Sequence, residues 1–387
     1  MTGAAGSDNT SQMDRPRKPP KNSGRPTDAP RRDRGPARPA AAAEPPRRSP
    51  KPAPRVETAE AIDPPRPPID PAAFSGARAS GDALAAIMLE TDGWADYQLL
   101  DSGFGRKLER YGHIRIVRPE EQALWAPRLS EAEWARADAV FTGDVEEEGP
   151  GRWRFPKPLP ETWPMSFDPV KFSCRFTSFR HTGVFPEQVA HWQWMRAAIG
   201  RAVAAGRKPR LLNLFGYTGL ASLVAAAAGA EVTHVDASKK SIAWARENQG
   251  ESGLDHLPIR WICDDAMKFV QRDVRRGARY DAIVLDPPKY GRGTNGEVWQ
   301  LFEHLPEMLR ACRTLLSDDP IGLILTVYAM RSSYASFHEL TAETMAGRGG
   351  HLASGELFLR EAEAAATPVR RRLATSLWVR WTPEETR

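Results

Sequence analysis

From Arg210 onward the chain alternates short apolar runs with amphipathic segments in a regular rhythm. The runs Leu211 to Phe215, Glu231 to Val235, Ile259 to Cys263, Asp281 to Leu285 and Ile321 to Val327 have the length of strands, and helical patterns fill the gaps. Such alternation builds βαβ units, whose crossover helices cover both faces of a mainly parallel sheet. After a helix beginning near Ser333, the β-like runs Glu356 to Arg360 and Leu373 to Trp381 follow with no helix between them, which predicts an antiparallel hairpin at the sheet edge. The expected class is α/β, doubly wound, without internal repeats.

Upstream the pattern changes. Ordered sequence is expected from near Phe74, with a helical spacing at Leu84, Ile87 and Met88, then strands at Tyr97 to Asp101 and Ile114 to Val117, with Gly103 and Gly105 marking turns between them. A helix carrying Trp125, Leu129 and Trp134 follows, then a Gly- and Pro-bearing connector from Phe141 to Pro160, a strand from Phe172 to Phe179 and a helix from His191 to Ala205. The chain therefore divides into a tail (1–72), a small β-rich N-terminal domain with its connector (73–165) and a larger α/β domain (166–387).

The tail decides how the charge is interpreted. The formal net charge is +5, and residues 1–70 carry 14 Lys and Arg against 9 Asp and Glu, so the surplus lies there and the rest is balanced. The same stretch holds 16 of the 34 prolines and few large apolar side chains, too little burial to offset the entropy of ordering, so it is expected to be disordered. An RNA-attracting arm and a solubilising extension both fit it. No apolar segment approaches the roughly 18 residues of a membrane span, and the acids Asp8, Asp14, Asp28 and Asp33 argue against a transit peptide, so a cytoplasmic location is expected. Cys174, Cys263 and Cys312 are isolated, without zinc or disulfide spacing, and read as small buried hydrophobes; no metal site is expected. Trp153, Trp163, Trp192 and Trp194 are assigned to core packing.

The first strand of the alternating region ends in Asn213-Leu214-Phe215-Gly216-Tyr217-Thr218-Gly219 and runs into an Ala-rich helix. Glycines at this bend let backbone approach a ligand at the carboxyl edge of an open sheet. A second strand ends in Asp236, about 20 residues on, where an acid accepts hydrogen bonds from adenosine ribose hydroxyls or caps the next helix. Ser238 follows it. Asp264-Asp265-Ala266 stands at the third strand tip, where a carboxylate meets an adenine amino group or serves as a cap. The fourth strand ends in Asp286-Pro287-Pro288-Lys289-Tyr290, where two prolines fix the turn and project the preceding Asp into the cleft. These features, without a Gly-x-Gly-x-x-Gly fingerprint, favour a sulfonium cofactor over a dinucleotide on a Rossmann-like sheet.

Together with Gly183-Val184-Phe185-Pro186-Glu187-Gln188 upstream, these segments fall in the order and spacing of a known group. The chain resembles class I S-adenosylmethionine-dependent methyltransferases, specifically the bacterial ribosomal RNA enzymes related to the large-subunit cytosine-5 methyltransferases. The resemblance extends from about Tyr97 to the C-terminus and includes Leu100-Asp101-Ser102-Gly103 and Lys107 to Gly112. It implies that the turn from Phe185 to Gln188 lines the cofactor with Asn213, Phe215, Gly216, Tyr217, Thr218 and Gly219. It further implies that Asp236 and Ser238 face the ribose, Asp264, Asp265 and Ala266 the adenine, and Asp286 and Pro287 the reacting methyl.

One position departs from that pattern. Cytosine-5 chemistry uses a thiolate that attacks the ring, and the resembling enzymes carry a Cys just after the fifth strand, where this chain has Thr326-Val327-Tyr328-Ala329-Met330, with Ala329 at the thiol's place. A nitrogen or oxygen acceptor needs no covalent intermediate, only an oriented, desolvated nucleophile. The expected catalytic set is Asp286 orienting the acceptor, Lys289 meeting a phosphate or carbonyl and Tyr290 stacking on a base, against the alternative that the last two are solvated or packing residues. RNA, above all ribosomal RNA, is the expected partner. Arg106, Lys107, Arg110, Arg115, Arg118, Arg175, Arg180 and His181 form either a basic surface for it or alternating charges on a solvated sheet. A protein or small-molecule acceptor and a catalytically silent cofactor-binding protein are the competing readings, and oligomeric state is not legible.

Overall fold

The computed structural model of the protein describes residues 84–143, 151–178, 180–328, 332–363 and 370–384. The tail expectation, together with Phe179, Ala329 and Met330, lies outside the described residues. The chain enters with β1 (Ile87–Thr91), β2 (Tyr97–Gly103), β3 (Arg106–Tyr111), β4 (Ile114–Pro119), α1 (Glu131–Trp134), β5 (Ala139–Thr142), β6 (Arg152–Arg154), β7 (Thr162–Phe167) and β8 (Val170–Arg175). A 3-10 turn at Pro186–Gln188 leads into α2 (Val189–Ala204). The alternation then runs β9 (Arg210–Leu214), α3 (Leu220–Ala227), β10 (Glu231–Asp236), α4 (Lys239–Glu251), β11 (Ile259–Cys263), α5 (Ala266–Arg275) and β12 (Ala282–Leu285). It ends with β13 (Tyr290–Arg292), β14 (Val298–Gln300), α6 (Leu301–Leu315), β15 (Gly322–Tyr328), α7 (Tyr334–Met345), β16 (His351–Arg360) and β17 (Arg372–Thr382).

The main sheet has the order β1-β16-β17-β15-β12-β9-β10-β11, parallel except where β17 runs against β15 and β16. Each of the five strands expected from the apolar runs is present, bordered within one or two residues of its expected ends. Because β9 is flanked by β10 on one side and β12 on the other, the strand order reverses at β9, and a crevice opens beyond the carboxyl ends at that point. One apolar cluster packs α2 and α3 between β9 and the β7–β8 hairpin through Trp163, Phe172, Trp192, Leu223 and Leu211. Another fills the opposite face with Phe269, Met308, Leu309 and Phe337 from α5, α6 and α7. The sheet is thus covered on both faces, the arrangement that apolar strands buried on both sides require.

Four local expectations are corrected. The spacing of Leu84, Ile87 and Met88 suggested a helix, but residues 87–91 form β1, paired in parallel with β16 from Ile87↔Gly355 to Thr91↔Leu359. Sheet pairing outweighs local propensity here. A side chain at position 355 would collide with the Ile87 backbone, so Gly355 is what admits the strand. The C-terminal hairpin consequently does not end the sheet; β1 does. The Trp125 to Trp134 stretch is helical only over Glu131–Trp134, capped by the Ser130 hydroxyl, because Pro127 disfavours helix at Ala126. Finally, Cys174 and Cys312 are buried as expected, whereas Cys263 is exposed at the end of β11.

A second sheet, β2-β3-β4-β5-β6, precedes the hairpin β7-β8. The strand β3 and both strands of the segment read as connector, β5 and β6, were missed in the sequence, and the division at residue 165 falls within β7. All four assigned tryptophans pack in the core cluster, with Trp163 and Trp192 buried and Trp153 and Trp194 partly so.

Candidate functional site

The segment after β9 turns sharply enough to force two non-glycine residues, Phe215 (φ 57) and Tyr217 (φ 50), into the left-handed region. Such residues cost about 1–3 kcal/mol each and persist where the surroundings over-determine them. Here Gly216 donates its amide to Val235 O at 3.1 Å, and Tyr217 N donates to Asp236 Oδ2 at 2.9 Å. A side chain at Gly216 would strike the His234 ring, which is itself fixed by a buried chain from Asn213 through Ser222 to His234 Nδ1. Burial pushes His234 down to about 3, leaving its ring neutral. The Thr218 hydroxyl donates to Gly183 O at 2.6 Å, which ties this loop to the segment before α2.

Around this loop lies a cleft of about 340 Å³, continuous through Phe185, Gln188, Phe215, Tyr217 and Asp286 with a smaller chamber of about 60 Å³ lined by Asn213, Thr218 and His191. At one end Asp236, Ser238, Asp265 and Ala266 line the cleft. The Asp236 carboxylate accepts from Tyr217 N and Ser238 N, and burial raises its pKa, with no cation among the causes opposing that rise. Asp265 is the N-cap of α5, its Oδ1 accepting from Lys268 N at 2.9 Å, and Ser238 caps α4. The capping and cleft-facing readings of these residues therefore coexist. Asp264 does not line the cleft; its Oδ2 pairs with Arg272 at 2.8 Å.

In the middle stands Asp286, whose Oδ2 accepts from Gln188 Nε2 at 2.9 Å, while Gln188 Oε1 accepts from the Thr326 hydroxyl at 3.4 Å. Pro287 and Pro288 continue the lining. Lys289 and Tyr290 do not line it: Lys289 is exposed, its carbonyl accepting from Leu301 N, and Tyr290 begins β13 with half its surface exposed. The β13–β14 hairpin, unforeseen in sequence, brings Arg292, Gly293 and Trp299 to the cleft. Trp299 packs on Phe215 at 4.9 Å and donates to Pro288 O at 2.8 Å, which couples the two turns. Its sequence signal was the pair of β-like residues Val298 and Trp299 after a Gly-rich turn.

His181, Glu187, Tyr328 and Ser376 line the opposite end, where Tyr328 closes β15 and pairs with Ser376 within β17. Burial, with Arg118, Arg180 and Lys107 adding to it, pushes His181 down to about 3, so its ring is neutral near pH 7. Arg180 donates to the Tyr328 hydroxyl at 2.9 Å. The charged residues read as either a basic surface or alternating charges on a solvated sheet have partners within the fold. Lys107 pairs with Glu120 at 3.1 Å, Arg118 with Glu109 at 2.8 Å, and Arg115 with Glu133 at 3.6 Å. Arg110 donates to two backbone carbonyls, Arg106 lies over Trp134, and Arg175 pairs with Glu247 at 2.5 Å. Lys107 and Arg118 are buried, because strand alternation turns them inward onto Glu109. Among the described residues, no group of three or more His, Cys, Asp or Glu is placed to hold a metal ion. No described helix is long and apolar enough to cross a membrane.

A family model described as S-adenosylmethionine-dependent methyltransferase matches residues 118–333, more than half of the chain. The chain belongs to that family. This methyltransferase is similar, at 59% identity and a TM-score of 0.74, to a crystal structure of an S-adenosylmethionine-dependent methyltransferase from Agrobacterium tumefaciens, covering 78% of this chain and 94% of that one. The ribosomal RNA large subunit methyltransferase K/L of Shewanella baltica is 37% identical over 129 residues, 33% of this chain and 17% of that protein. The ribosomal RNA large subunit methyltransferase K of Neisseria meningitidis serogroup B is 28% identical over 226 residues, 55% of this chain and 60% of that protein. The methyltransferase thus spans about a sixth of the first of these curated relatives and under two thirds of the second, and their names lend no support to the cytosine-5 branch.

Its methyl donor is S-adenosylmethionine. The residues present suit such a group: Asp236 is a partly buried carboxylate that accepts from the Tyr217 and Ser238 amides and keeps lone pairs for ribose hydroxyls, beside the closely approached backbone at Gly216.

Proposed function

We propose that this methyltransferase acts on RNA, ribosomal RNA above all, at a nitrogen or oxygen acceptor and without a cysteine adduct. The observation that carries the reading is Asp286, held by Gln188 on a double-proline turn at the centre of a cleft whose described lining contains no cysteine. Of the three cysteines, burial raises the Cys174 and Cys312 thiols well above their usual range, the latter to about 12, which opposes thiolate formation. The names of the relatives support RNA as the acceptor class, and a ribosomal RNA substrate goes with a cytoplasmic location.

In this reading Asp236 and Ser238 hold the ribose, and Asp265 with Ala266 borders the adenine. Phe185, Gln188 and the Asn213 to Gly219 turn enclose the amino-acid end. The cofactor supplies a methyl group on a sulfonium, ready for direct displacement. Asp286 accepts a hydrogen bond from the acceptor's N–H or O–H, aims its lone pair along the transfer axis and takes up the proton that the acceptor gives off. Gln188 is a positioning residue that fixes the Asp286 carboxylate, steadied by Thr326. Lys289 and Tyr290, both exposed, work at the rim, the first on a phosphate and the second stacked on a base.

The test uses RNA from a strain lacking the gene, incubated with the protein and methyl-labelled S-adenosylmethionine, with Asp286→Ala as control. Label entering that RNA, but not RNA from the parent strain, is expected. Label in protein or a small molecule alone, or in nothing despite cofactor binding, would overturn the RNA reading.

A further inference from the structure

The mechanism above uses one end of the cleft for the cofactor and its centre for Asp286, which leaves the β15–β17 end without an assigned role. Strand order fixes the direction: along the carboxyl edge run Tyr328 of β15, Asp286 after β12, the Phe215 loop after β9, Asp236 of β10 and Asp265 after β11. Tyr328 therefore lies on the far side of Asp286 from the ribose acid. The walls at that end are ring-shaped and uncharged: neutral His181, Tyr328, Phe185 and the two prolines. One carboxylate interrupts them. Glu187 lines the cleft with only 7% of its surface exposed and lies close enough to Tyr328 to bear on its ionisation.

Glu187 is not explained as a structural ion. Lys107 is engaged by Glu120 and Glu109, Arg118 by Glu109, and no described residue forms an ion pair with Glu187. Burial raises its pKa even with Lys107 and Arg118 nearby, and the hydrogen bond that opposes this comes from its own backbone amide. A nine-tenths buried carboxylate that faces a cleft without an ion pair gains from a donor that enters it.

We propose that Glu187 reads the acceptor base, taking hydrogen bonds from an N–H-bearing edge of a nucleobase that lies flat among His181, Tyr328 and Pro288. This rests on the RNA reading of the same cleft. The two carboxylates divide the work: Asp286 faces the atom that is methylated, and Glu187 faces a neighbouring donor on the same base. A carboxylate accepts only, so an edge of carbonyls and ring nitrogens is rejected, because it would leave Glu187 buried and unpaired. A base entering this slot must leave its stack, as enzymes that modify bases require.

The test compares wild type, Glu187→Gln and Glu187→Asp on RNA from the gene-deletion strain, with S-adenosylhomocysteine titrated calorimetrically into each. Glu187→Gln keeps the volume but replaces one acceptor oxygen with a donor. It is expected to lower kcat/KM for RNA about a hundredfold, the scale of a lost charge-assisted hydrogen bond, and to leave the S-adenosylhomocysteine Kd within about twofold. Glu187→Asp is expected to recover part of the loss. Unchanged RNA kinetics in Glu187→Gln would overturn the proposal, as would a parallel loss of S-adenosylhomocysteine affinity, which would give Glu187 to the cofactor. Absence of label with wild type would remove the RNA reading and this proposal together, and the wild-type reaction identifies that case by itself.

Discussion

The two ends of the cleft are built by different means. At the β10–β11 end, the acids that line the cleft sit at strand tips and hold backbone amides of adjoining turns: Asp236 those of Ser238 and of Tyr217 in the neighbouring β9 loop, Asp265 that of Lys268. At the β15–β17 end, the wall is assembled across long stretches of chain. Arg118 of the second sheet holds Glu109, reaches Arg180 O at 2.9 Å and thereby supports His181, while Arg180 in turn holds Tyr328. The first end follows from turn and cap chemistry. The second depends on a buried ionic network that folds as part of a different sheet.

That difference can be broken open by mutation, and the largest effect belongs to the residue between the ends. Asp286→Ala is expected to lower methyl transfer by about a thousandfold, within the range for a positioned acid–base group, while S-adenosylhomocysteine binding changes little. A loss of both together would mean that Asp286 belongs to the cofactor end. Next comes Arg118→Ala. It strands a fully buried Glu109 and should cost about 3–5 kcal/mol, seen as a fall in melting temperature of about 10 °C. Cofactor affinity measured below that transition should remain, because Asp236 does not depend on the network.

Acid gives a related reading of the network. Burial alone would raise the Glu109 pKa, but Arg118 and Lys107, with hydrogen bonds from Arg118 and Tyr97, outweigh it and hold Glu109 at about 2, below its usual 4.5. A carboxylate whose pKa is lowered on folding contributes stability that is complete above the unfolded value. That contribution, about 3 kcal/mol, is lost as pH falls from about 4.5 towards about 2. Denaturant melts across that interval should show the loss in wild type and a shallower slope in a Glu109→Gln, Arg118→Met double variant. The smallest effect is expected for Gln188→Ala, which frees the Asp286 carboxylate without removing it and should lower kcat about tenfold, with a smaller loss of S-adenosylhomocysteine affinity because Gln188 also borders the amino-acid end.

Legibility in the sequence follows the same division. The parallel strands were legible because apolar runs bounded by helical periods have few other solutions, and the loop at Gly216 was legible because glycines mark a bend. Asp286 was legible because two prolines leave its position little freedom. The strained Phe215 and Tyr217 were not, since nothing local distinguishes a left-handed phenylalanine from an ordinary one. Strand β1 was misread because its pairing partner lies more than 260 residues away at Gly355 to Leu359. Lys107 and Arg118 looked like a surface for phosphate because their partners, Glu109 and Glu120, became visible only once β3 and β4 were paired. Glu187 stood in plain view within the Phe185 to Gln188 turn, but its burial without an ion pair is a property of the fold alone.

The most direct test of the account is a crystal structure with S-adenosylhomocysteine bound. Both ribose hydroxyls should lie within hydrogen-bond reach of Asp236, the adenine beside Asp265 and the sulfur facing Asp286, with the space between His181, Glu187 and Tyr328 left open. An adenine lying against Tyr328, or Asp236 turned away from the ribose, would contradict the account.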